Sequence, residues 1–314
     1  MSTIHVLAMP RLAPLYATPL AATYTVHAQD SDPATLAAAA PSIRAIAASG
    51  ESKVSAELIN SLPALELISV MGVGYDGIDV AAAKARGVVV THTPDVLNDE
   101  VADTAIGLML SVARQLPAAD RHVRAGLWPK GPLPLSRKMS GARLGLVGMG
   151  RIAKAIAQRA QAFGMSIAYT ARSAKADLPY AFHDTPAKLA AVSDFLVVIT
   201  PGGAGTRKLI DANVLKALGP TGILVNVARG SVVDEAALIQ ALQDGTIAGA
   251  ALDVFENEPN VPQALIDMPQ VVLAPHIGSA THQTRQAMVD LALGNLAAQF
   301  AGKPLLTPVP ECRA

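Results

Sequence analysis

The sequence predicts an α/β protein built from two doubly wound parallel-sheet domains. Short β-branched runs alternate with Ala-rich helical stretches along the whole chain, the pattern of parallel strands covered on both faces. That series runs twice, interrupted around residues 118–140 by a stretch of different character. A length of 314 residues suits two domains, and 51% hydrophobic content excludes a disordered chain.

In the first series the strand-like runs are residues 4–7, 24–27, 43–47, 65–70 and 88–91, with helical stretches such as 34–40 and 80–86 between them. A long helical pattern over 99–116 presents Ile106, Leu108, Met109, Leu110, Val112 and Leu116 as a broad apolar face, and Pro117 ends its regular bonding. Residues 118–140 carry Arg121, Arg124, Lys130, Arg137, Lys138 and Trp128, the one tryptophan of the chain. An extended arm is expected there rather than a core element. The second series supplies strand-like runs at 144–147, 166–170, 195–199, 223–227, 248–252 and 271–274. Six such runs suffice for a complete doubly wound sheet. Residues 284–300 read as a terminal helix.

Composition narrows the function. Lys and Arg total 25, as do Asp and Glu, so the formal charge is zero. That argues against nucleic-acid binding through a general basic field. A single cysteine, Cys312, excludes an intramolecular disulfide and any multi-Cys zinc site. No apolar run approaches the roughly 18–20 residues of a membrane span. Residues 1–6 lack the basic and apolar regions of a secretion signal, so a cytoplasmic protein without a membrane partner is expected. No His/Asp/Glu spacing resembles a metal site, and no metal is expected.

The strongest local signal is Val147-Gly148-Met149-Gly150-Arg151-Ile152-Ala153, which follows an apolar strand and opens a helical run. That is the context of a dinucleotide-binding turn. Gly148 permits the tight turn, Gly150 lets backbone approach a pyrophosphate, and Ala153 takes the close-packing third position. The anion then meets N–H groups at the helix start. The next strand ends Tyr169-Thr170-Ala171-Arg172-Ser173, with Lys175 nearby and no acid before Asp177. A carboxylate here would hold the adenosine ribose of NAD(H), whereas Arg172 and Ser173 suit the 2′-phosphate of NADP(H). NADP(H) is the expected preference. If Arg172 is instead a solvated residue stacking on adenine, NAD(H) remains acceptable.

Arg229, Asp253 and His276 stand just after later strands, with Glu258 five residues beyond Asp253. Ligands of open α/β sheets bind beyond the carboxyl ends of strands, so these groups can converge. They suit hydride transfer to a 2-keto acid. An imidazolium gives the carbonyl oxygen its proton, a carboxylate beside it favours the charged ring, and Arg grips the keto oxygen and a carboxylate. Each has a plainer reading: His276 as a strand-end residue satisfied by backbone, Arg229 as a turn cap, Glu258 as a solvated loop residue. The segment Met71-Gly72-Val73-Gly74-Tyr75-Asp76-Gly77 reads either as a backbone nest seating the substrate carboxylate or as a flexible turn.

Four ordered motifs then resemble the signatures of the D-isomer-specific 2-hydroxyacid dehydrogenases. They are Gly148-Met149-Gly150-Arg151-Ile152, Asn226-Val227-Ala228-Arg229-Gly230, Leu252-Asp253-Val254-Phe255-Glu256-Asn257-Glu258-Pro259 and Ala274-Pro275-His276-Ile277-Gly278. The texture is similar to glyoxylate/hydroxypyruvate and hydroxyphenylpyruvate reductases, which share the Arg-Ser at 172–173. The resemblance implies a substrate domain of residues 1–98 plus 283–314, a cofactor domain of 99–282, and a cleft between them. It implies a catalytic set of Arg229, Glu258 and His276, with Val73 and Gly74 on the substrate carboxylate. Cofactor contacts would come from Thr104, the 148–152 turn, Ala171, Arg172, Ser173, Thr200, Pro201, Val227, Asp253 and Gly278, Asp253 meeting the nicotinamide carboxamide. A homodimer through residues 99–140 is implied as well. The loop at 200–206 departs from the family by its glycines. Two alternatives stay open: a nicotinamide-sensing, corepressor-like interaction protein, and a family dehydrogenase for formate, phosphite or 3-phosphoglycerate.

Overall fold

The structure is a computed structural model that describes residues 4–313. It divides into two compact units, Met1–Leu97 with Thr281–Ala314, and Asn98–Ala280.

The first unit holds strands β1 (His5–Ala8), β2 (Thr25–Ala28), β3 (Ile43–Ser49), β4 (Leu67–Met71) and β5 (Val89–Thr91), in the parallel order β2-β1-β3-β4-β5. All five residues of β4 are buried, as central parallel strands require. Helices α1 (Pro14–Thr23), α2 (Pro33–Ala39), α3 (Ala56–Ser61) and α4 (Val80–Ala85) connect them. Asp32, Ser55 and Asp79 cap α2, α3 and α4 by accepting backbone N–H bonds. The long helix His282–Phe300 returns to this unit, where the Ser69 hydroxyl donates to the Ala292 carbonyl at 2.9 Å. Buried Asn295 then fixes the tail by accepting from the N–H groups of Leu306 and Thr307.

The second unit starts with α5 (Asn98–Arg114) and α6 (Leu116–Arg124). Its strands are β6 (Arg143–Val147), β7 (Ser166–Thr170), β8 (Ala181–His183), β9 (Phe195–Val198), β10 (Ile223–Asn226), β11 (Gly249–Leu252) and β12 (Val271–Leu273). All pair parallel in the order β12-β11-β10-β9-β6-β7-β8. Helices α7 (Arg151–Ala162), α8 (Pro186–Ala190), α9 (Ala212–Leu218), α10 (Glu235–Gln243) and α11 (Gln263–Ile266) lie between strands. The chain leaves β6 toward β7 on one side and returns as β9 on the other, which makes the carboxyl end of β6 the topological switch point. No helix among the described residues is long and apolar enough to cross a membrane.

Two expectations need correction. The sheet has seven strands rather than six, because β8 is a three-residue edge strand bonded only to β7 and too short to show a period. The stretch after Pro117 is not all extended. Gln115 takes a left-handed conformation (φ 53°) and a new helix, α6, starts at Leu116 with Pro117 in its first turn. Proline is tolerated there because the N–H it lacks has no partner at a helix start. From Gly131 to Met139 the chain is irregular.

Candidate active site

Strands β11 and β12 end side by side, and their following turns are bonded together. His276 N–H donates to the Asp253 carbonyl at 2.9 Å. The Asp253 carboxylate accepts from Ile277 N–H at 2.7 Å and Gly278 N–H at 2.8 Å, one on each oxygen. Asp253 is 2% exposed. Burial pushes its carboxyl above the ordinary range, and the two N–H bonds oppose that shift. His276 sits at φ 54°, left-handed for a residue with a side chain. A β-carbon on Gly278 would lie 3.0 Å from Asp253 Oδ2, so the clamp has no slack.

The His276 ring is oriented from its other side. Its Nδ1 is 2.8 Å from Glu258 Oε2, while Glu258 Oε1 accepts from Phe255 N–H at 2.9 Å. Burial acts to raise the Glu258 carboxyl, but the bonds from His276 and Phe255 and the charges of His276 and Arg229 outweigh it and hold it below the ordinary range. Arg229 reaches this neighbourhood because Gly230 packs backbone to backbone on the 255–256 turn, where any β-carbon would overlap Phe255. Asn226 shapes the Arg229 turn: its amide oxygen accepts from Ala228 N–H and its NH₂ donates to the Arg229 carbonyl. The Arg229 guanidinium also donates to the Ala228 carbonyl at 2.8 Å.

The glycine turn lies at the switch point. Gly148 has φ 104°, and a β-carbon there would come within 2.8 Å of the Ile199 carbonyl oxygen. Gly150 is exposed, precedes the first residue of α7, and would meet nothing within 4 Å if it carried a β-carbon. Its open side is therefore space a ligand can use, at the start of α7, where a helix offers N–H groups to an anion. Met149 and Ala153 are buried, Arg151 is exposed, and Ile152 is half-buried. Beyond β7, Arg172 and Ser173 are exposed and have no hydrogen-bond or ion-pair partner among the described residues. Val227 is buried, Thr200 half-buried and Pro201 exposed, with the Pro201 carbonyl accepting from the Thr206 hydroxyl at 2.7 Å. The Thr104 hydroxyl donates to the Gly278 carbonyl at 3.3 Å, joining α5 to the turn that carries His276. These residues fit a dinucleotide: a glycine turn with open space, a helix start, and an unopposed guanidinium one strand away.

In the first unit the 71–77 turn is built by close approach rather than by left-handed glycines. A β-carbon would come 2.9 Å from Gly50 Cα at Gly72 and 2.3 Å from the Ser52 carbonyl oxygen at Gly77, and neither glycine has the positive φ a nest requires. The Val73 carbonyl bonds His92 Nδ1 at 3.0 Å. Tyr75 rests edge-on against the His92 ring and donates its hydroxyl to Glu311 at 3.0 Å. Burial and the Glu311 charge push the Tyr75 hydroxyl up to about 12.

Asn226 and His92 were not singled out from sequence as positioning groups. The signal for Asn226 was its place at a strand end, where Asn side chains bond backbone two and three residues on. His92 gave no signal, since its partner is a carbonyl 19 residues away.

The chain is similar to several known proteins. The family model described as D-isomer specific 2-hydroxyacid dehydrogenase, NAD binding domain, matches residues 106–278. A hydroxyphenylpyruvate reductase of Plectranthus scutellarioides is 48% identical over 274 residues, covering 87% of this chain and 88% of that one. A glyoxylate/hydroxypyruvate reductase A of Arabidopsis thaliana is 50% identical over 268 residues, covering 85% and 86%. Among solved structures, an NADPH-dependent glyoxylate/hydroxypyruvate reductase of Sinorhizobium meliloti, in complex with NADP and malonate, superposes with a TM-score of 0.94 at 48% identity over 100% of both chains.

Proposed function

The chain belongs to the D-isomer-specific 2-hydroxyacid dehydrogenase family, and on that premise we propose that it reduces short 2-keto acids, glyoxylate and hydroxypyruvate first among them, to D-2-hydroxy acids with NADPH. The observation that carries this reading is the 2.8 Å bond between His276 Nδ1 and Glu258 Oε2 at adjacent strand ends. With Nδ1–H given to Glu258, the ring delivers its other proton from Nε2 to the keto oxygen as negative charge develops there. Glu258 favours the charged ring that precedes this transfer. Arg229 stays charged, grips the substrate carboxylate and polarises the carbonyl. Backbone N–H groups of Val73 and Gly74 are assigned to the same carboxylate.

When bound, NADPH supplies the hydride. Gly148, Met149, Gly150, Arg151 and Ile152 take its pyrophosphate, and Arg172 and Ser173 take its 2′-phosphate. Ala171, Thr200, Pro201, Val227, Thr104 and Gly278 are assigned to the rest of its length, and Asp253, which holds the 276–278 turn, to the nicotinamide carboxamide. The cofactor domain is thus the unit around β6–β12, and the unit around β1–β5 serves the substrate.

A homodimer through residues 99–140 is part of the proposal. Leu116, Val123, Leu127, Trp128 and Leu135 are 38–100% exposed along this stretch, a series of large apolar groups suited to a partner surface. A second copy covers them, and sedimentation of the native protein should give twice the chain mass. The cytoplasm, with its NADPH pool, is the proposed compartment. Steady-state rates over a panel of 2-keto acids with both reduced cofactors test the activity. Glyoxylate or hydroxypyruvate with NADPH should give the highest kcat/KM, and absence of turnover across the panel would overturn the reading.

A further inference from the structure

We propose that Tyr169 is a positioning residue for cofactor choice, its hydroxyl holding the 171–175 loop so that Arg172 and Ser173 are set for a 2′-phosphate before the cofactor arrives. This rests on the assignment of Arg172 and Ser173 to that phosphate.

Tyr169 is the second-last residue of β7 and 1% exposed. Its ring packs on one face of the sheet against that of Phe182 of β8, with centroids 5.5 Å apart. The hydroxyl oxygen accepts from Lys175 N–H at 2.6 Å. The chain therefore leaves the sheet after Thr170, turns through Ala171, Arg172, Ser173 and Ala174, and is pinned again at Lys175 by a side chain from the strand it has just left. A second tie, Lys154 Nζ to Asp177 Oδ2 at 3.1 Å, joins side chains that are 48% and 68% exposed, where ion pairs contribute little. The hydroxyl is the tie anchored in the core. The same strand end meets the glycine turn, since Gly148 N–H donates to the Thr170 carbonyl at 2.9 Å. Phosphate-selecting loop and pyrophosphate turn thus share one support.

The physical role is preorganisation. Arg172 has no partner of its own among the described residues, so the backbone under it is what limits where its guanidinium can be. A loop fixed in advance loses less entropy when the 2′-phosphate binds. Lys175 is exposed, so water can take over its N–H when the hydroxyl is removed, and the fold should survive Tyr169→Phe. The contribution is specific to a cofactor carrying the 2′-phosphate, because that group alone calls on Arg172 and Ser173.

The experiment is steady-state kinetics of the native protein, Tyr169→Phe and Arg172→Ala with NADPH and NADH, together with binding of 2′,5′-ADP and 5′-AMP and a thermal melt. Tyr169→Phe should raise KM for NADPH and weaken 2′,5′-ADP about three- to tenfold, roughly one hydrogen bond's worth. KM for NADH, 5′-AMP binding and kcat should move less than about twofold on the same basis. Equal losses for both cofactors, or no loss for either, would overturn the proposal. Arg172→Ala separates the two levels. If it leaves the NADPH-to-NADH ratio unchanged, the assignment of the 2′-phosphate is wrong. If it collapses that ratio while Tyr169→Phe does not, only the role of Tyr169 is wrong.

Discussion

The ends of β11 and β12 and the end of β7 are built on opposite plans. At β11 and β12 the polar groups are spent on each other: Asp253 on two backbone N–H groups, Glu258 on Phe255 and on the His276 ring. At the end of β7, Arg172 and Ser173 stand exposed without partners of their own among the described residues, and the backbone beneath them is tied down. The difference follows from what each place must do. A proton donor has to be aimed before the substrate arrives, since a misdirected ring loses the transfer. A phosphate brings its own charge, so its receptor is best left without a competing carboxylate.

The sharpest way to break the contrast is His276→Ala. Turnover of 2-keto acids should fall by about 10²–10⁴, equally with NADPH and NADH, while NADPH binding followed by fluorescence stays intact. Loss of cofactor binding instead would place His276 on the wrong plan. Asp253→Asn comes next. The amide can accept only one of the two N–H bonds, so either Ile277 N–H or the buried Gly278 N–H loses its partner. A stability loss of about 1–3 kcal/mol is expected by chemical denaturation, with a lower kcat through the turn that carries His276. Gly150→Ala probes the open plan. A methyl group in space left for the cofactor should weaken NADPH and NADH alike by about tenfold, as overpacking of about 1.4 kcal/mol does, without lowering the melting temperature.

The smallest effect is on pH. The Glu258 carboxyl is held below its ordinary value of 4.5, so its contribution to stability is present above pH 4.5 and is lost as pH falls through the lowered value. The melting-temperature gap between the native protein and Glu258→Gln should close as pH falls below 4.5. A gap that persists unchanged at pH values well below 4.5 would show that the Glu258 carboxylate does not contribute to stability.

The two plans were not equally legible in the sequence. Alternating strands and helices, the glycine turn and the bare Arg172 are local patterns, and the structure has them where the residues suggested. The roles of Asp253 and Asn226 were not legible in the same way. Each acts on backbone N–H or carbonyl groups, which every residue has and no sequence marks. The glycines at 72 and 77 suggested a nest, but they answer to Gly50 and Ser52, which only the folded chain brings near. The strand β8 has three residues and one neighbour, too few for a periodic signal. Pro117 was read as a stop when it is also a permitted start.

The left-handed backbone at His276 makes a saturation library at that codon sort along two axes. Asn and Gly accept this conformation and should yield soluble, well-expressed protein that is inert. Val and Ile, whose branched β-carbons resist it, should lower expression as well. Yield and turnover would then vary separately across the library, which distinguishes a ring needed for chemistry from a backbone needed for folding.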